Sequence, residues 1–374
     1  MMCIQRWSLF KMTSEKSSYH YWKEDFFLYM NIAFDKPFKT YDQQIEILRS
    51  RNIIINDIDF AKKALCNCSY YALINGYKNT FLSVKGSDKF IEGTKFEHLY
   101  TLYFLDTSLN QILFKYILHI ERSLKSKISY LISEKYGVYT DTQLTVSRDP
   151  ADYLHKSHYS NSNNKRSDIL YKLRKCLLEP KHNASLEHYL NNKNHVPAWV
   201  LVTNIPLGLV IEWYSILINN DKTTICNQFL PSLQLSVEEC KEFLYKSLML
   251  FREYRNRIAH GNRTFNMYGL PILPKKQLLL LSHNNLSKTE YGLGLGQNDL
   301  LSVLYALILL SNDKYIATNL MSELYSLFYP YRGDNLFFNG KTIFEIFKLP
   351  KDIFNRLSNI LQERYNIDFN IKDF

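Results

Sequence analysis

The sequence has few cysteines, and their spacing does not form a metal site. Six cysteines are spread over 374 residues, which is too few to build a disulfide scaffold in a chain of this length. Cys66 and Cys68 flank a single residue, and no second pair with zinc-ligand spacing accompanies them. The sequence also lacks a cluster of Asp, Glu and His at ligand spacing. We therefore expect free thiols in a reducing cytoplasm, with no metal and no cofactor.

Uninterrupted apolar runs are also missing. The N-terminus mixes charged residues with short apolar patches, so it does not resemble a signal peptide. Residues 196–218 are long enough to cross a bilayer, but they include Asn204, Glu212 and two prolines. An unpaired glutamate in lipid is costly. We expect this segment to be buried in the core of a soluble, cytoplasmic protein that does not contact a membrane.

Acidic residues are outnumbered by basic ones. The chain has 36 Asp and Glu against 46 Lys and Arg, which gives a net charge of +10. This balance favours an anionic partner such as a nucleic acid. The same composition is also expected from an AT-rich genome, so the charge alone does not identify the partner. Hydrophobic residues make up 46% of the chain, which excludes a disordered protein.

The spacing of apolar residues predicts a mostly α protein in four parts. They are an N-terminal extension (1–36) with a short helix near residues 21–34, a helical module (37–95), a larger helical domain (96–275) with a loop excursion at 138–167, and a C-terminal helical region (276–374). The clearest helices are predicted over residues 112–136, ending at Gly137, and over residues 237–259. Leu278 to Leu281 are predicted to form a short strand.

One segment at the end of a predicted helix combines side chains that can process a phosphodiester. Arg255, Asn256 and His260 lie within about one and a half helical turns, just before Gly261. Arginine matches phosphate with a fork of donors, and histidine transfers protons near neutral pH without a metal. His260 is the candidate general base or acid for RNA cleavage through the 2′-hydroxyl. Arg255 would stabilise charge on the phosphoryl oxygens, and Asn256 would orient the phosphate or hold the helix end.

The spacing of Arg255 and His260 limits how they can share one phosphate. Five residues rotate a straight helix by about 140°, so the two side chains point to different sides. Either the helix breaks near Gly261 and redirects His260, or two chains combine their segments in one cleft of a symmetric dimer. The alternative without function is that Arg255 binds a neighbouring group and His260 is a simple cation at the helix C-terminus.

The bare Arg–His pattern is not specific. Roughly one such pair is expected by chance in a chain of this composition. Arg148 and His155 supply a second pair, in a segment without helical periodicity. We expect this second pair to be accidental unless the fold brings it near the first.

Positive charge is concentrated between residues 161 and 182. The surplus of cations in this stretch favours contact with a phosphate backbone, although most such runs are solvated faces. The residues expected to contact RNA here are Lys165, Arg166, Lys172, Arg174 and Lys175.

Several segments resemble a bacterial family. Arg255-Asn256 with His260 resembles the signature of the HEPN superfamily, whose members are α-helical ribonucleases that commonly work as dimers. More specifically, residues 37–275 resemble the Abi_2 (AbiD/AbiF-like) abortive-infection family of anti-phage proteins. The matching segments are Tyr41-Asp42-Gln43-Gln44, Asn67-Cys68-Ser69-Tyr70-Tyr71, Gly76-Tyr77, Ile120-Glu121-Arg122-Ser123-Leu124-Lys125-Ser126, Tyr136-Gly137, Pro197-Ala198-Trp199, Gly208 and His260-Gly261-Asn262-Arg263.

This resemblance implies an HEPN-like helical bundle with an acidic side chain from an earlier helix near the Arg–His pair. Glu121 is the candidate for that side chain, and an ordinary helix pair with Lys125 is its alternative role. The resemblance also implies a stable, structured RNA partner, for which Arg122, Lys125 and Arg263 are further candidate contacts.

The function that the resemblance implies is an anti-phage, metal-independent endoribonuclease that acts as a homodimer. The alternative function is a non-catalytic RNA-binding protein that uses the HEPN fold to hold a small non-coding RNA.

Overall fold

The protein is built from α-helices. The computed structural model describes residues 35–84, 86–162, 164–230, 235–264, 267–333 and 340–369, so the helix expected near residues 21–34 lies outside the described residues. About 65% of the structure is helical and 2% is strand. Within the described ranges, the β structure consists of isolated bridges and forms no sheet. The prediction of a mostly α protein is confirmed.

Two short helices form the first part of the described chain. Helix α1 spans Tyr41–Ser50 and begins with a capping box in which the Thr40 hydroxyl accepts from the Gln43 amide. Helix α2 spans Ile58–Cys68, and the Asp57 carboxylate caps its N-terminus. A π-helical turn, Tyr71–Asn75, follows α2 and leads towards the candidate site. Thr and Asp are favoured at the N-cap position because their side-chain oxygens accept from the free amides of the first helical turn.

Helix α3 is the central element of the fold. It spans Phe96–Tyr136, 41 residues, and ends at Gly137, whose φ of 79° an L side chain rarely adopts. The predicted end is confirmed, but the helix starts well before residue 112. Its buried face contains the polar Asp106. This residue interrupts the apolar pattern, so apolar periodicity does not predict the first half of the helix.

The middle of the chain contributes shorter helices around α3. They are α4 (Arg166–Leu178), α5 (Ala184–Asn192), α6 (Ala198–Leu201), α7 (Leu207–Ile216) and α8 (Asn219–Phe229). The apolar residues 196–218 lie largely within the core, and Trp213 is fully buried there. None of the helices in the described ranges has both the length and the apolar character that a membrane-spanning helix requires.

Helix α9 carries the Arg–His segment and is followed by the C-terminal helices. It spans Val237–Ala259, as the sequence predicts. The later helices are α10 (Lys275–Leu281), α11 (Lys288–Gly292), α12 (Leu300–Leu310), α13 (Lys314–Phe328), α14 (Ile343–Phe347) and α15 (Ile353–Tyr365). The strand predicted for Leu278–Leu281 is therefore wrong. A short apolar run does not distinguish a strand from a buried helix by periodicity alone.

Contacts among the helices place α3 and α9 together at the centre. Helix α3 packs against α6, α9 and α13, and α9 packs against α12. Every residue of α12 is buried, so this helix anchors the C-terminal region against the back of α9. The result is that the end of α9 is held against the middle of α3.

Candidate functional site

The end of α9 has a defined geometry. His260 is the last residue of the helical path, and its amide donates to the carbonyls of Asn256 and Arg257. The amide of Asn262 donates to the carbonyl of Arg257 at 3.0 Å, and the amide of Gly261 donates to the carbonyl of Ile258 at 2.9 Å. This pattern is a Schellman motif, which requires the positive φ of Gly261, 74°. The exposed His260 side chain is therefore held at a rigid helix end.

Arg255 and His260 line two different clefts. His260 lies in a cleft of about 870 Å³ between α3 and the end of α9, which we call the histidine cleft. Arg255 lies in a second cleft of about 770 Å³, which we call the lysine cleft. The Arg255 guanidinium carbon is 5.9 Å from the centre of the Phe114 ring, and this ring lines the histidine cleft. Helix α9 does not break between Arg255 and His260, so its rotation separates them as its geometry predicts.

The histidine cleft combines cations, a second imidazole and aromatic rings. Lys115, His119 and Arg122 line it from α3, and Arg263 lines it from the segment after α9. The aromatic lining consists of Tyr71, Tyr77, Tyr103 and Phe114. The predicted RNA contacts Arg122 and Arg263 thus line the same cleft as His260. Aromatic rings and cations together are the surface that single-stranded nucleic acids require.

His119 is a site residue that the sequence argument missed. Gln111, Lys115, His119 and Arg122 follow one another at steps of four, four and three residues, which places them on one face of a helix. This polar stripe runs beside the apolar stripe of α3. This polar spacing is visible in the sequence, but the apolar periodicity that predicts the helix does not draw attention to it.

A buried carboxylate fixes the segment after His260. Asp106 of α3, whose exposed fraction is 1%, accepts from the Tyr77 hydroxyl at 2.8 Å and from the Thr264 amide at 2.9 Å. The Asn110 amide donates to the carbonyl of Asn262 at 3.2 Å. Burial raises the pKa of the Asp106 carboxyl, while its hydrogen bonds with Tyr77 and Thr264 oppose this shift. The network ties three distant segments together at the floor of the histidine cleft.

Arg263 connects the same segments through its side chain. Its guanidinium carbon is 5.5 Å from the centre of the Tyr77 ring. A Cβ at Gly76 would lie only 3.1 Å from the Arg263 Nε. The absence of a side chain at Gly76 therefore leaves room for the Arg263 guanidinium beside the Gly76 backbone.

The C-terminal region reaches the edge of the histidine cleft. Glu323 of α13 forms an ion pair with Lys115 and accepts from the Tyr116 hydroxyl at 2.9 Å. The charge of Lys115 is thus balanced. Arg263 lies close enough to the buried Asp106 for its charge to favour the ionised carboxylate. Arg122 makes no ion pair with an acidic side chain within the described residues, so it adds positive charge to this cleft.

The lysine cleft gathers several of the predicted RNA contacts. Its basic lining residues are Lys125, Lys172, Lys175, Lys181 and Arg255. Lys172 binds Asp168 at 2.8 Å and Glu212 at 3.5 Å. Lys175 and Lys181 are exposed and form no ion pair in the described part of the chain. The lysine cleft therefore has the charge to hold phosphate groups, although it contains no histidine.

Glu121 lies in the lysine cleft with Arg255 but pairs with another residue. Its carboxylate binds Lys125 at 2.8 Å. The expected contact with Arg255 is not formed; Arg255 donates instead to Asn256 Oδ1 at 3.3 Å. Glu121 Oε2 and Arg255 Nε are both buried without a hydrogen-bond partner in the described ranges. The two groups thus keep unused hydrogen-bonding capacity in the same cleft.

Arg174 has a structural role that its sequence context did not reveal. Its side chain is 1% exposed and binds the Asp152 carboxylate at 2.7 Å. It also donates to the Leu144 carbonyl, the Asp141 carbonyl and the Thr140 hydroxyl. A guanidinium enclosed in this way cannot reach a phosphate at the surface. Arg174 is therefore not an RNA contact. It anchors the loop excursion at residues 138–167, which also contains buried residues of its own.

The remaining predicted cations lie at the start of α4. Arg166 donates to the Tyr159 carbonyl at 3.1 Å, and Lys165 is exposed at the helix N-terminus. Neither residue lines the two clefts described above. Lys165 and Arg166 remain candidate RNA contacts by charge alone.

The second Arg–His pair lies apart from the first. Arg148 and His155 line neither cleft. The His155 ring accepts from the Ser157 amide at 3.3 Å and so caps a short 3-10 turn. This local role agrees with an accidental pair.

A metal ion in a protein is held by several ligating side chains at one place. Across the described residues, no group of three or more His, Cys, Asp or Glu side chains is placed to hold a metal ion. The two histidines of the histidine cleft are accompanied mainly by cations and aromatic rings.

Comparison with known proteins gives one match. No curated protein and no solved structure matches the chain. The family model described as Abi-like protein, Abi_2, matches residues 63–266. These residues include α3, α9 and the Arg–His segment, and they contribute the lining residues of both clefts. This match covers more than half of the 374 residues. The chain belongs to the Abi-like protein family, Abi_2.

Proposed function

We propose that the protein is an abortive-infection endoribonuclease that cleaves RNA without a metal. The observation that carries this proposal is the position of His260, exposed at a capped helix end in a cleft lined by cations and aromatic rings. In this reaction the 2′-hydroxyl of the RNA attacks the adjacent phosphate, and His260 transfers one of the two protons. Arg122 and Arg263 hold the phosphate, and a neighbouring base stacks on the aromatic lining.

The separation of Arg255 from His260 favours a site shared between two chains. A single α9 directs the two residues into different clefts. In a symmetric dimer, Arg255 of one chain can approach the phosphate held near His260 of the other. Arg255 is suited to this role because its side chain is partly exposed and makes no ion pair within the described ranges. We therefore propose a homodimer, as is common among the HEPN ribonucleases that the Arg–His segment resembles, with Asn256 holding the Arg255 side chain.

The catalytic part of the proposal is tested with His260→Ala. General acid–base catalysis contributes about 10²- to 10⁴-fold, so we expect a loss of RNA cleavage of this size and a loss of toxicity in cells. His155→Ala is the matched control, because it removes a histidine from the other Arg–His pair. Excess EDTA should leave cleavage unchanged. An unchanged product pattern with His260→Ala would refute the proposal.

The dimer is tested by mixing two inactive variants. Arg255→Ala and His260→Ala each remove a different part of the shared site. After subunit exchange, half of the dimers contain one chain of each variant, and each of these has one complete site. We expect recovery of about a quarter of the wild-type activity. If the mixture stays inactive while co-purification of two differently tagged chains shows mixed dimers, the two residues do not combine across an interface.

The lysine cleft favours a second candidate function, RNA binding without catalysis. Lys175 and Lys181 are free to contact phosphates without help from His260. Under this function, Lys175→Glu with Lys181→Glu weakens RNA binding and flattens its salt dependence by about 0.7 to 0.9 per lost phosphate contact. Lys193→Glu, on the exposed surface, is the control. Loss of binding with these variants, together with normal RNA binding and no cleavage by the wild type, would support the second function.

A further inference from the structure

The histidine cleft contains two imidazoles from one chain. We propose that His119 is a second catalytic residue, and that His119 and His260 of the same chain divide the two proton transfers of RNA cleavage. This inference rests on the proposed function but adds to it, because the Arg–His segment alone supplies one histidine per chain. In this arrangement both histidines come from one chain, and the partner chain supplies Arg255.

The position of His119 is suited to a reacting group. It lies in the middle of α3, where helix geometry places it on the same face as Lys115 and Arg122. The end of α9, including His260 and Gly261, lines the same cleft. His119 is half-buried, and its ring centre is 5.9 Å from that of Tyr116. A side chain packed in this way on a long helix is held more rigidly than one on a loop.

The nitrogens of both imidazoles are available to a substrate. Neither His119 nor His260 makes a side-chain hydrogen bond or an ion pair to another residue in the described ranges. Other histidines have protein partners: His158 bonds to the Pro150 carbonyl at 2.8 Å, and His283 lies 3.8 Å from the Glu363 carboxylate. A histidine used only for structure normally bonds to a fixed partner. The two cleft histidines instead line the open volume of the histidine cleft.

The chemistry requires two proton transfers and no other reactant. One imidazole accepts the proton of the 2′-hydroxyl while the 2′-oxygen forms a bond to phosphorus. The bond between phosphorus and the 5′-oxygen breaks, and the second imidazole, as imidazolium, donates a proton to that oxygen. The products are a 2′,3′-cyclic phosphate and a 5′-hydroxyl. Atoms and charge balance without water, metal or oxidant.

Charged groups around His119 come from three parts of the chain. Helix α3 contributes Lys115 and Arg122, and α13 contributes Glu323 through its ion pair with Lys115. The end of α9 and the segment after it contribute His260 and Arg263. The other titratable residues that line the cleft are Tyr71, Tyr77, Tyr103 and Asp106. Lys115 and Glu323 balance each other. Arg122 and Arg263 outnumber the Asp106 carboxylate, so the charged lining of the cleft has a positive balance, which is suited to an RNA phosphate.

The first test compares single variants at the two histidines. His119→Ala and His119→Gln should each lower the rate of cleavage by about 10²- to 10⁴-fold. His188→Ala, which removes a histidine that lines neither cleft, should leave the rate unchanged. Helical circular dichroism and the melting temperature of His119→Gln should match those of the wild type. Wild-type cleavage should show a bell-shaped dependence on pH, and each histidine variant should lose one limb of it.

The second test replaces the leaving 5′-oxygen of the RNA with sulfur. A thiolate leaves without a proton, so the variant that lacks the acid should cleave this substrate within about 10-fold of the wild type. The variant that lacks the base should remain slow. Rescue of one variant but not the other supports the pair and identifies the acid. Rescue of neither, or of both, overturns it.

The outcomes separate this inference from the proposed function. Normal cleavage by His119→Ala with loss in His260→Ala would overturn the role of His119 alone and leave the nuclease proposal standing. Normal cleavage by His260→Ala would overturn both. A mixture of His119→Ala and His260→Ala chains should stay inactive, because each chain lacks one histidine of its own cleft. Recovery in that mixture would show that the two histidines act across an interface and would overturn the single-chain pair.

Discussion

The hydrogen-bond network of Asp106 gives the strongest stability prediction. Asp106→Ala leaves two buried donors without a partner, the Tyr77 hydroxyl and the Thr264 amide. An orphaned buried donor costs about 1–3 kcal/mol, so the variant should lose about 2–6 kcal/mol in the free energy of unfolding. A part of this loss should appear locally, because Thr264 holds the segment that follows His260.

The prediction is measured by urea unfolding, followed by circular dichroism, and by hydrogen exchange of the segment around Thr264. Tyr77→Phe removes one of the donors and should cost about 1.5–3 kcal/mol. The double variant should lose less than the sum of the two, because the residues share one bond. Asp168→Ala is the control, since its carboxylate is 61% exposed and pairs with Lys172 at the surface, where an ion pair contributes about 0–1 kcal/mol.

A loss below about 1 kcal/mol in Asp106→Ala, equal to that of the control, would refute this reasoning. It would mean that the carboxylate is not the acceptor that the geometry indicates, or that water replaces it. If hydrogen exchange around Thr264 is unchanged while the global stability falls, only the prediction of a local loss of stability is refuted.

Two further predictions concern buried charge. Arg174→Ala leaves the buried Asp152 carboxylate unpaired and should cost about 3–5 kcal/mol in urea unfolding, with RNA affinity per folded molecule unchanged; a stable variant with weak RNA binding would contradict the structural role. The raised pKa of Asp106 also gives a pH dependence. Its contribution is fully present below the unfolded-state pKa and is lost as the pH rises through the folded-state pKa, so the stability advantage of the wild type over Asp106→Asn should grow as the pH falls. An advantage that shrinks on acidification would contradict the direction of that shift.

Local signals in the sequence predicted much of the fold. The Thr40 and Asp57 caps, the Gly137 stop and the full extent of α9 depend on residues within a few positions of one another. The first half of α3 was missed because Asp106 lies on its buried face. The burial of that carboxylate makes sense only with Tyr77 and Thr264, which are distant in sequence. Residue propensity and apolar periodicity depend on neighbouring residues, so they do not reveal a hydrogen-bond partner that is distant in sequence.

The candidate site was predictable to a similar degree. Helix rotation correctly indicated that Arg255 and His260 diverge, because this depends on helix geometry alone. The division of the cations between two clefts was not predictable, since it depends on how α3, α4 and α9 pack. Arg174 shows the limit most clearly: its neighbours in sequence are exposed lysines, while its partner Asp152 lies in the loop excursion.

The Asp106 network also has a consequence for synthesis of the protein. Thr264 follows Asp106 by 158 residues, and ribosomes add roughly 5–20 residues per second. The last donor of the network therefore emerges roughly 8–30 s after its acceptor, with α12, the helix that supports the back of α9, still to be made. A nascent chain cannot assemble the floor of the histidine cleft before then. Translation itself thus delays the appearance of a site whose proposed activity would act on RNA in the cell that makes it.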